Sequence, residues 1–225
     1  LDNITLVCVS SVKIKESILA LEHCMKFFNF KEVKFITHED ISLENIIVEK
    51  CPKLDYKKYS EYIIYHLYKH LTTEFALIIN WDGFILNPEQ WDSNYLNYDY
   101  IGALWTHEHN FYDASNNESL VGNGGFSLRS RKLLKLANEL NIPWEPREGK
   151  YWHEDAWICV KNKHLYVPYE VTVAVEYIVT KKVLALNEKH AHEKLEEHLR
   201  NYTETMNRRG FSIGDIELIE TKELL

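Results

Sequence analysis

The sequence predicts an α/β fold with a mainly parallel central sheet flanked by helices, and three observations lead there. Two apolar runs, ITLVCVS (4–10) and FALIIN (75–80), lack the alternation of a half-wet strand and read as strands buried on both faces. Amphipathic helical segments separate the strand-like runs, giving the order β-α-β-β-α-β over the first eighty residues. An apolar fraction of 45% with 13% aromatic residues can fill a core between such layers, which excludes a wholly disordered chain.

Taken in order, ITLVCVS is the first strand, and ESILALEHCMKFF (16–28) follows as a helix with Ile18, Leu21, Met25 and Phe28 near helical spacing. VKFIT (33–37) and IIVEK (46–50) are the second and third strands. YKKYSEYIIYHLYKHL (56–71) is an amphipathic helix whose Tyr59, Ile63, Leu67 and Leu71 recur at steps of four. FALIIN is the fourth strand and runs straight into WDG. YDYIGALW (98–105) is strand-like, whereas residues 106–121 are polar and without period, the kind of long loop that is more often functional than neutral in a compact domain. GGFSLRS reads as a strand, SRKLLKLANELN (130–141) as a helix capped by Ser130, and EDAWICVKNK (154–163) as a short helix. From Glu188 to Arg209 the chain is charged and helical in pattern. The expected organisation is one domain over residues 1–185 and a C-terminal helical extension over 186–225.

The formal net charge is −8, and no basic run interrupts the scattered Lys and Arg, so nucleic acid is not an expected partner. A phosphate-bearing substrate would therefore need a metal ion or a few placed cations. Four cysteines without a CxxC pair, two of them (Cys8 and Cys24) on apolar faces, favour a reducing compartment over a disulfide framework. A cytoplasmic location is expected, with a peripheral position at the inner membrane face as its variant. No apolar run approaches the ~18 residues of a membrane span. The chain opens at Leu1 directly on a strand, so native residues are expected to precede it.

In open parallel sheets, ligands bind beyond the carboxyl ends of the strands, which marks Val9–Ser11 and Asn80–Gly83. Asp82 is placed there as an oxygen ligand for Mg²⁺ or Mn²⁺; equally, Asp82-Gly83 is a common turn pair. His153-Glu154-Asp155 opens a helix beside Tyr151 and Trp152. Its acids read either as favourable first-turn charges or as a carboxylate base against aromatic walls, where burial raises a carboxyl pKa. His190 and His192, two apart, cannot share one face of a regular helix; they are solvated, or one reaches a metal from an extended segment. His107 and His109 lie in the polar loop and carry the same two readings. Six Trp, among them Trp81 and Trp152, lie mostly beside these loops; core packing or stacking on a sugar face accounts for such positions. GNGG (122–125) places three of the chain's eight glycines around Asn123, so the backbone there takes a positive φ or approaches something closely. Nucleophile motifs, a P-loop and a dinucleotide-binding glycine fingerprint are all missing from the sequence.

Five blocks stand in order: LIINWDGFILNPEQW (77–91), YDYIGALW (98–105), GNGGFSLRS (122–130), HEDAWIC (153–159) and VPYEVTVAVEY (167–177). Over roughly residues 4 to 180 they resemble a family of uncharacterised bacterial and viral proteins read as GT-A-type glycosyltransferases. That family carries QWDGF, YDYIGAPW, GNGGFSLRS and ED in this order. A more distant likeness is to the beta-1,4-galactosyltransferases. The resemblance implies a nucleotide-sugar donor and a glycan or other hydroxyl acceptor. It implies that Asp82 bridges Mn²⁺ or Mg²⁺ to the donor diphosphate and that His190 or His192 completes the metal site. Gly124 and Gly125 would admit the donor or acceptor sugar, Glu154 and Asp155 would hold the acceptor, and Asp155 would be the base of an inverting transfer. Val9, Ser10, Ser11 and Thr37 would line the nucleotide side, with Trp81 and Trp152 beside the sugars. Arg129 is either a cation for phosphate or one half of an ion pair. The chain departs from the family at Asn80, where the family has Gln, and at Leu104, where it has Pro.

Two rival functions remain open at this level. A sugar-phosphate nucleotidyltransferase would carry a glycine-rich basic loop after the first strand, where VSSVKIKE has no glycine. A non-catalytic module that binds sugar or nucleotide is favoured by the lack of a second acid beside Asp82.

Overall fold

The computed structural model describes residues 1–103, 112–113, 118–119, 122–144, 146–147, 150–166 and 173–175. All lie in one compact unit, Leu1–Ile178. The helical extension expected over 186–225, with His190 and His192, lies outside the described residues, as do Trp105, His107 and His109.

The predicted alternation is present: β1 (Ile4–Val9), α1 (Ile14–Met25), β2 (Glu32–Thr37), β3 (Ile47–Lys50), α2 (Tyr56–Tyr65) and β4 (Phe75–Ile79). After them come β5 (Tyr100–Gly102), β6 (Tyr112–Asp113), β7 (Glu118–Ser119), β8 (Phe126–Ser130) and α3 (Arg131–Glu139). The last elements are β9 (Pro146–Arg147), β10 (Lys150–Tyr151), α4 (Glu154–Ala156), α5 (Lys163–Tyr166) and β11 (Val173–Val175). Seven strands form one sheet in the order β11-β5-β8-β4-β1-β2-β3, while β6/β7 and β9/β10 are separate two-stranded pairs. All neighbours in the main sheet are parallel except β8, which runs antiparallel to both β4 and β5.

The fully apolar strands are buried on both faces because each face has its own helical layer. Ile4, Leu6 and Cys8 of β1 and Leu77 and Ile79 of β4 pack with Leu21 and Cys24 of α1. Val7, Val9, Ala76 and Ile78 point the other way, into a cluster with Ile63 of α2 and with Leu67 and Leu71 beyond it. This period-two division is the physical content of the continuous apolar run. Each such buried aliphatic side chain contributes about 1.5–3 kcal/mol relative to exposure. A third cluster joins Tyr100, Leu133, Leu136 and Ala137 to Ala156 and Trp157.

Boundaries differ from the sequence reading where the backbone tightens. The helix expected to reach residue 71 ends at Tyr65 and continues as a 3₁₀ turn over Leu67–His70. Ser130 caps α3 as expected, its Oγ accepting from Leu133 N at 3.0 Å. The segment expected as one short helix is α4, then a wide π turn over Trp157–Lys161, then α5. Among the described residues, no helix is long and apolar enough to cross a membrane.

Candidate active site

Because β8 runs backwards, its leading end meets the carboxyl ends of β4 and β5. Phe126 pairs with Ile79, and one residue further Asn80 N donates to Gly125 O at 2.8 Å. The WDG and GNGG stretches, forty residues apart in sequence, are thereby laid backbone against backbone. A side chain on Gly83 would begin 2.6 Å from Gly125 O, so this contact requires glycine at 83. Gly83 N donates to Asn80 O at 3.0 Å, closing the turn that the DG pair predicts and leaving Asp82 exposed on it. Beside it, exposed Trp81 lies under the Lys13 ammonium, 5.6 Å from the ring centre.

The other end of GNGG holds the acidic pair. Gly124 N donates to Asp155 Oδ2 at 2.9 Å, and Asp155 Oδ1 accepts from Ala156 N at 2.7 Å, which fixes a partly exposed carboxylate at the start of α4. Glu154 turns inward: its Oε1 accepts from Arg129 Nη2 at 2.9 Å, and both residues are buried. Arg129 also donates through Nε to Ser127 Oγ (3.0 Å) and through Nη2 to Tyr100 OH (3.4 Å), with its guanidinium 4.8 Å from the centre of the Tyr100 ring. Burial first, and then the neighbouring Asp155, push the Glu154 carboxyl up to about 6 against the pull of Arg129.

Several expected site residues are buried or packed against the core. Arg129 follows the ion-pair reading: it is fully buried and presents no surface to a phosphate. The room beside Gly124 is filled by Glu154 Oε1, only 1.7 Å from where a Cβ would stand, so on that side this glycine makes way for a carboxylate of the protein. Positive φ falls on Asn123 (63°). Val9 and Thr37 are also buried at their strand ends; Thr37 Oγ1 accepts from Glu39 N and its carbonyl accepts from Cys51 N. Ser10 and Ser11 do lie at the carboxyl end of β1, their hydroxyls holding Val12 N and Leu54 N. Trp152 packs partly buried against the third cluster, and His153 meets the Tyr56 ring edge-on, with centres 4.7 Å apart.

Two residues not chosen from the sequence complete the site. Tyr59, at the start of α2, donates its hydroxyl to Asn80 Oδ1 at 3.1 Å, and Tyr100 backs Arg129. Tyr59 carried no signal, because it sits in the same step-of-four stripe as the core residues Ile63 and Leu67. Among the described residues no three or more His, Cys, Asp or Glu are grouped to hold a metal. On the turn after β4 Asp82 supplies an exposed carboxylate, a donor set that fits a Mg²⁺-type cation only when substrate oxygens and water provide the rest.

The chain belongs to the DUF5672 family, described as a protein of unknown function, whose model matches residues 43–194. No curated protein sequence matches it. Among solved structures it is similar to the bifunctional IspDF from Campylobacter jejuni, at 10% identity and a TM-score of 0.47 over 80% of this chain and 50% of that one. It is similar to a glycosyltransferase involved in the glycosylation of the major capsid of PBCV-1, at 13% identity and a TM-score of 0.44 over 84% and 90% of the two chains. A third likeness is to the mannosyltransferase PcManGT from Pyrobaculum calidifontis, solved with GDP-Man and Mn²⁺, at 10% identity and a TM-score of 0.46 over 92% and 64%. The chain thus spans half the length of the first of these structures.

Proposed function

We propose that this chain is a GT-A-like glycosyltransferase that moves a sugar from a nucleotide-sugar donor to a hydroxyl of a glycan or other acceptor. One observation carries the reading. The GNGG segment joins an exposed carboxylate on the turn after β4 to a clamped carboxylate at the start of α4, both at the carboxyl edge of the sheet. Glycosyl transfer needs two such groups, one toward the departing diphosphate and one toward the attacking hydroxyl.

In this reading Asp155 takes the proton of the acceptor hydroxyl on an inverting path, with its carboxylate held in place by Gly124 N and Ala156 N. Glu154 and Arg129 are positioning residues beneath it. Asp82 would hold Mn²⁺ or Mg²⁺, which supplies charge stabilisation to the leaving diphosphate. Ser10 and Ser11 lie on the nucleotide side and Trp81 on the sugar side. The cysteines of the described fold, Cys8, Cys24, Cys51 and Cys159, are free and buried, which fits a reducing, cytoplasmic setting.

The test is a panel of UDP-, GDP-, CMP- and TDP-sugars with Mn²⁺ or EDTA, using the wild type, Asp82→Ala and Asp155→Ala. Release of one nucleotide, lost in Asp82→Ala, names the donor. Transfer lost in Asp155→Ala while donor binding persists identifies the base. Binding without turnover under any condition would make the protein a sugar-nucleotide-binding module instead.

A further inference from the structure

Asn80 closes β4 and opens the Asp82 turn, and three of its four polar groups are already engaged. Its N–H donates to Gly125 O (2.8 Å), its carbonyl accepts from Gly83 N (3.0 Å), and its Oδ1 accepts from Tyr59 OH (3.1 Å). What remains is Nδ2, with two N–H donors and no hydrogen-bond partner among the described residues. Tyr59 holds the amide in this orientation: burial first, then the nearby Glu154, keep its phenol protonated well past the ordinary value of 10, so it always has a proton to give. Gly125 leaves the remaining amide group uncovered, since a Cβ there would stand 3.2 Å from Nδ2. The side chain is partly exposed, between the Asp82 turn and GNGG.

We infer, resting on the glycosyltransferase reading above, that Asn80 Nδ2 is the neutral donor that binds an oxygen of the nucleotide sugar at the end of β4, and that Tyr59 is its positioning residue. The amide oxygen is turned away to Tyr59, so the position accepts a ligand oxygen and gives nothing to a cation. A metal on Asp82 therefore gains no second protein ligand from Asn80. The oxygen bound belongs to the donor's phosphate or to its sugar, and both are acceptors of the same N–H.

Calorimetric binding in EDTA tests this, with UDP, UDP-glucose, UDP-galactose, GDP, GDP-mannose and TDP-glucose as probes. For the probe that wild type binds, Asn80→Ala should weaken binding about tenfold, the worth of one well-placed hydrogen bond. Asn80→Asp keeps an acceptor for Tyr59, so it should fold as wild type, yet bind more weakly than Asn80→Ala because a carboxylate oxygen then faces the ligand oxygen. Tyr59→Phe should cost about threefold by freeing the amide to turn. A loss shared by the free diphosphate places the oxygen on phosphate; a loss confined to the sugar nucleotide places it on the sugar. Unchanged binding by Asn80→Ala, or Asn80→Asp binding as tightly as wild type, would overturn the inference while leaving the transferase reading intact. Wild type that binds none of the probes either in EDTA or with Mn²⁺ removes that reading itself, and this inference with it.

Discussion

Glu154 Oε1 occupies the place where a side chain on residue 124 would begin: a Cβ on Gly124 would stand 1.7 Å from that oxygen and 2.8 Å from Arg129 Nη2. The first glycine after Asn123 therefore makes room for the ion pair on which the acidic start of α4 rests. Motif and acidic helix are one structure, joined twice, by this contact and by Gly124 N donating to Asp155.

Gly124→Ala should accordingly be among the most damaging single changes available. The methyl would force Glu154 away from a fully buried guanidinium, and breaking such a pair costs about 3–5 kcal/mol. Gly125→Ala meets only the end of the Asn80 side chain at 3.2 Å and Asn123 Oδ1 at 3.4 Å, so it should cost about 1 kcal/mol. Urea unfolding of the two variants separates them by midpoint; equal midpoints would refute the role given to the Glu154–Arg129 pair.

The Glu154 carboxyl makes stability depend on pH with a defined sign. Its folded pKa of about 6 lies above its ordinary 4.5, so the folded state binds the proton more tightly than the unfolded state. The contribution is fully present below pH 4.5 and is lost as pH rises through 6, a change of about 2 kcal/mol over that window. Glu154→Gln removes the titration while keeping an oxygen for Arg129. The wild-type advantage over this variant should grow from pH 6 to pH 4.5 and stay flat above pH 6. A difference that is flat throughout would show that Arg129 offsets burial at this carboxyl, and one that shrinks as pH falls that Arg129 overrides it.

Ser130 serves two elements at once, accepting from Leu133 N as the cap of α3 and donating to Asp99 Oδ1. Ser130→Ala should lose about 1–2 kcal/mol, the upper range for an N-cap, because Asp99 is buried and loses a partner as well. A shift in thermal midpoint with unchanged nucleotide affinity is expected, since neither partner lies at the carboxyl edge.

What the sequence made legible follows from what is local. The continuous apolar runs of β1 and β4, the Ser130 cap and the DG turn each depend on residues within a few positions, and each is where the pattern puts it. Arg129 stood between two readings because its fate depends on what α4, twenty-five residues later, sets beside it. Gly124 showed that something comes close without showing what, since Glu154 arrives from outside the motif. Tyr59 looked like one more apolar-stripe residue; its ring does continue that stripe, and only the tertiary approach of α2 to the end of β4 gives its hydroxyl a partner. Thr37 and Val9 stand at strand ends, but strand-end position does not reveal burial, and both are buried.

Asp155→Asn tests the chemistry with little disturbance to the fold. The amide oxygen can keep the bond from Gly124 N, while the buried Ala156 N loses its acceptor, so the structural cost should be about 1–3 kcal/mol. What the amide cannot do is take a proton. If Asp155 deprotonates the acceptor, the rate of transfer should fall by about 10²–10⁴ while donor affinity stays within about threefold of wild type. A rise in acceptor KM with kcat preserved would instead make Asp155 a binding group for the acceptor. Loss of donor affinity alone would place it on the nucleotide side. The three outcomes fall on different kinetic constants, so single-turnover transfer and donor titration on this one isosteric variant decide which part the clamped carboxylate plays.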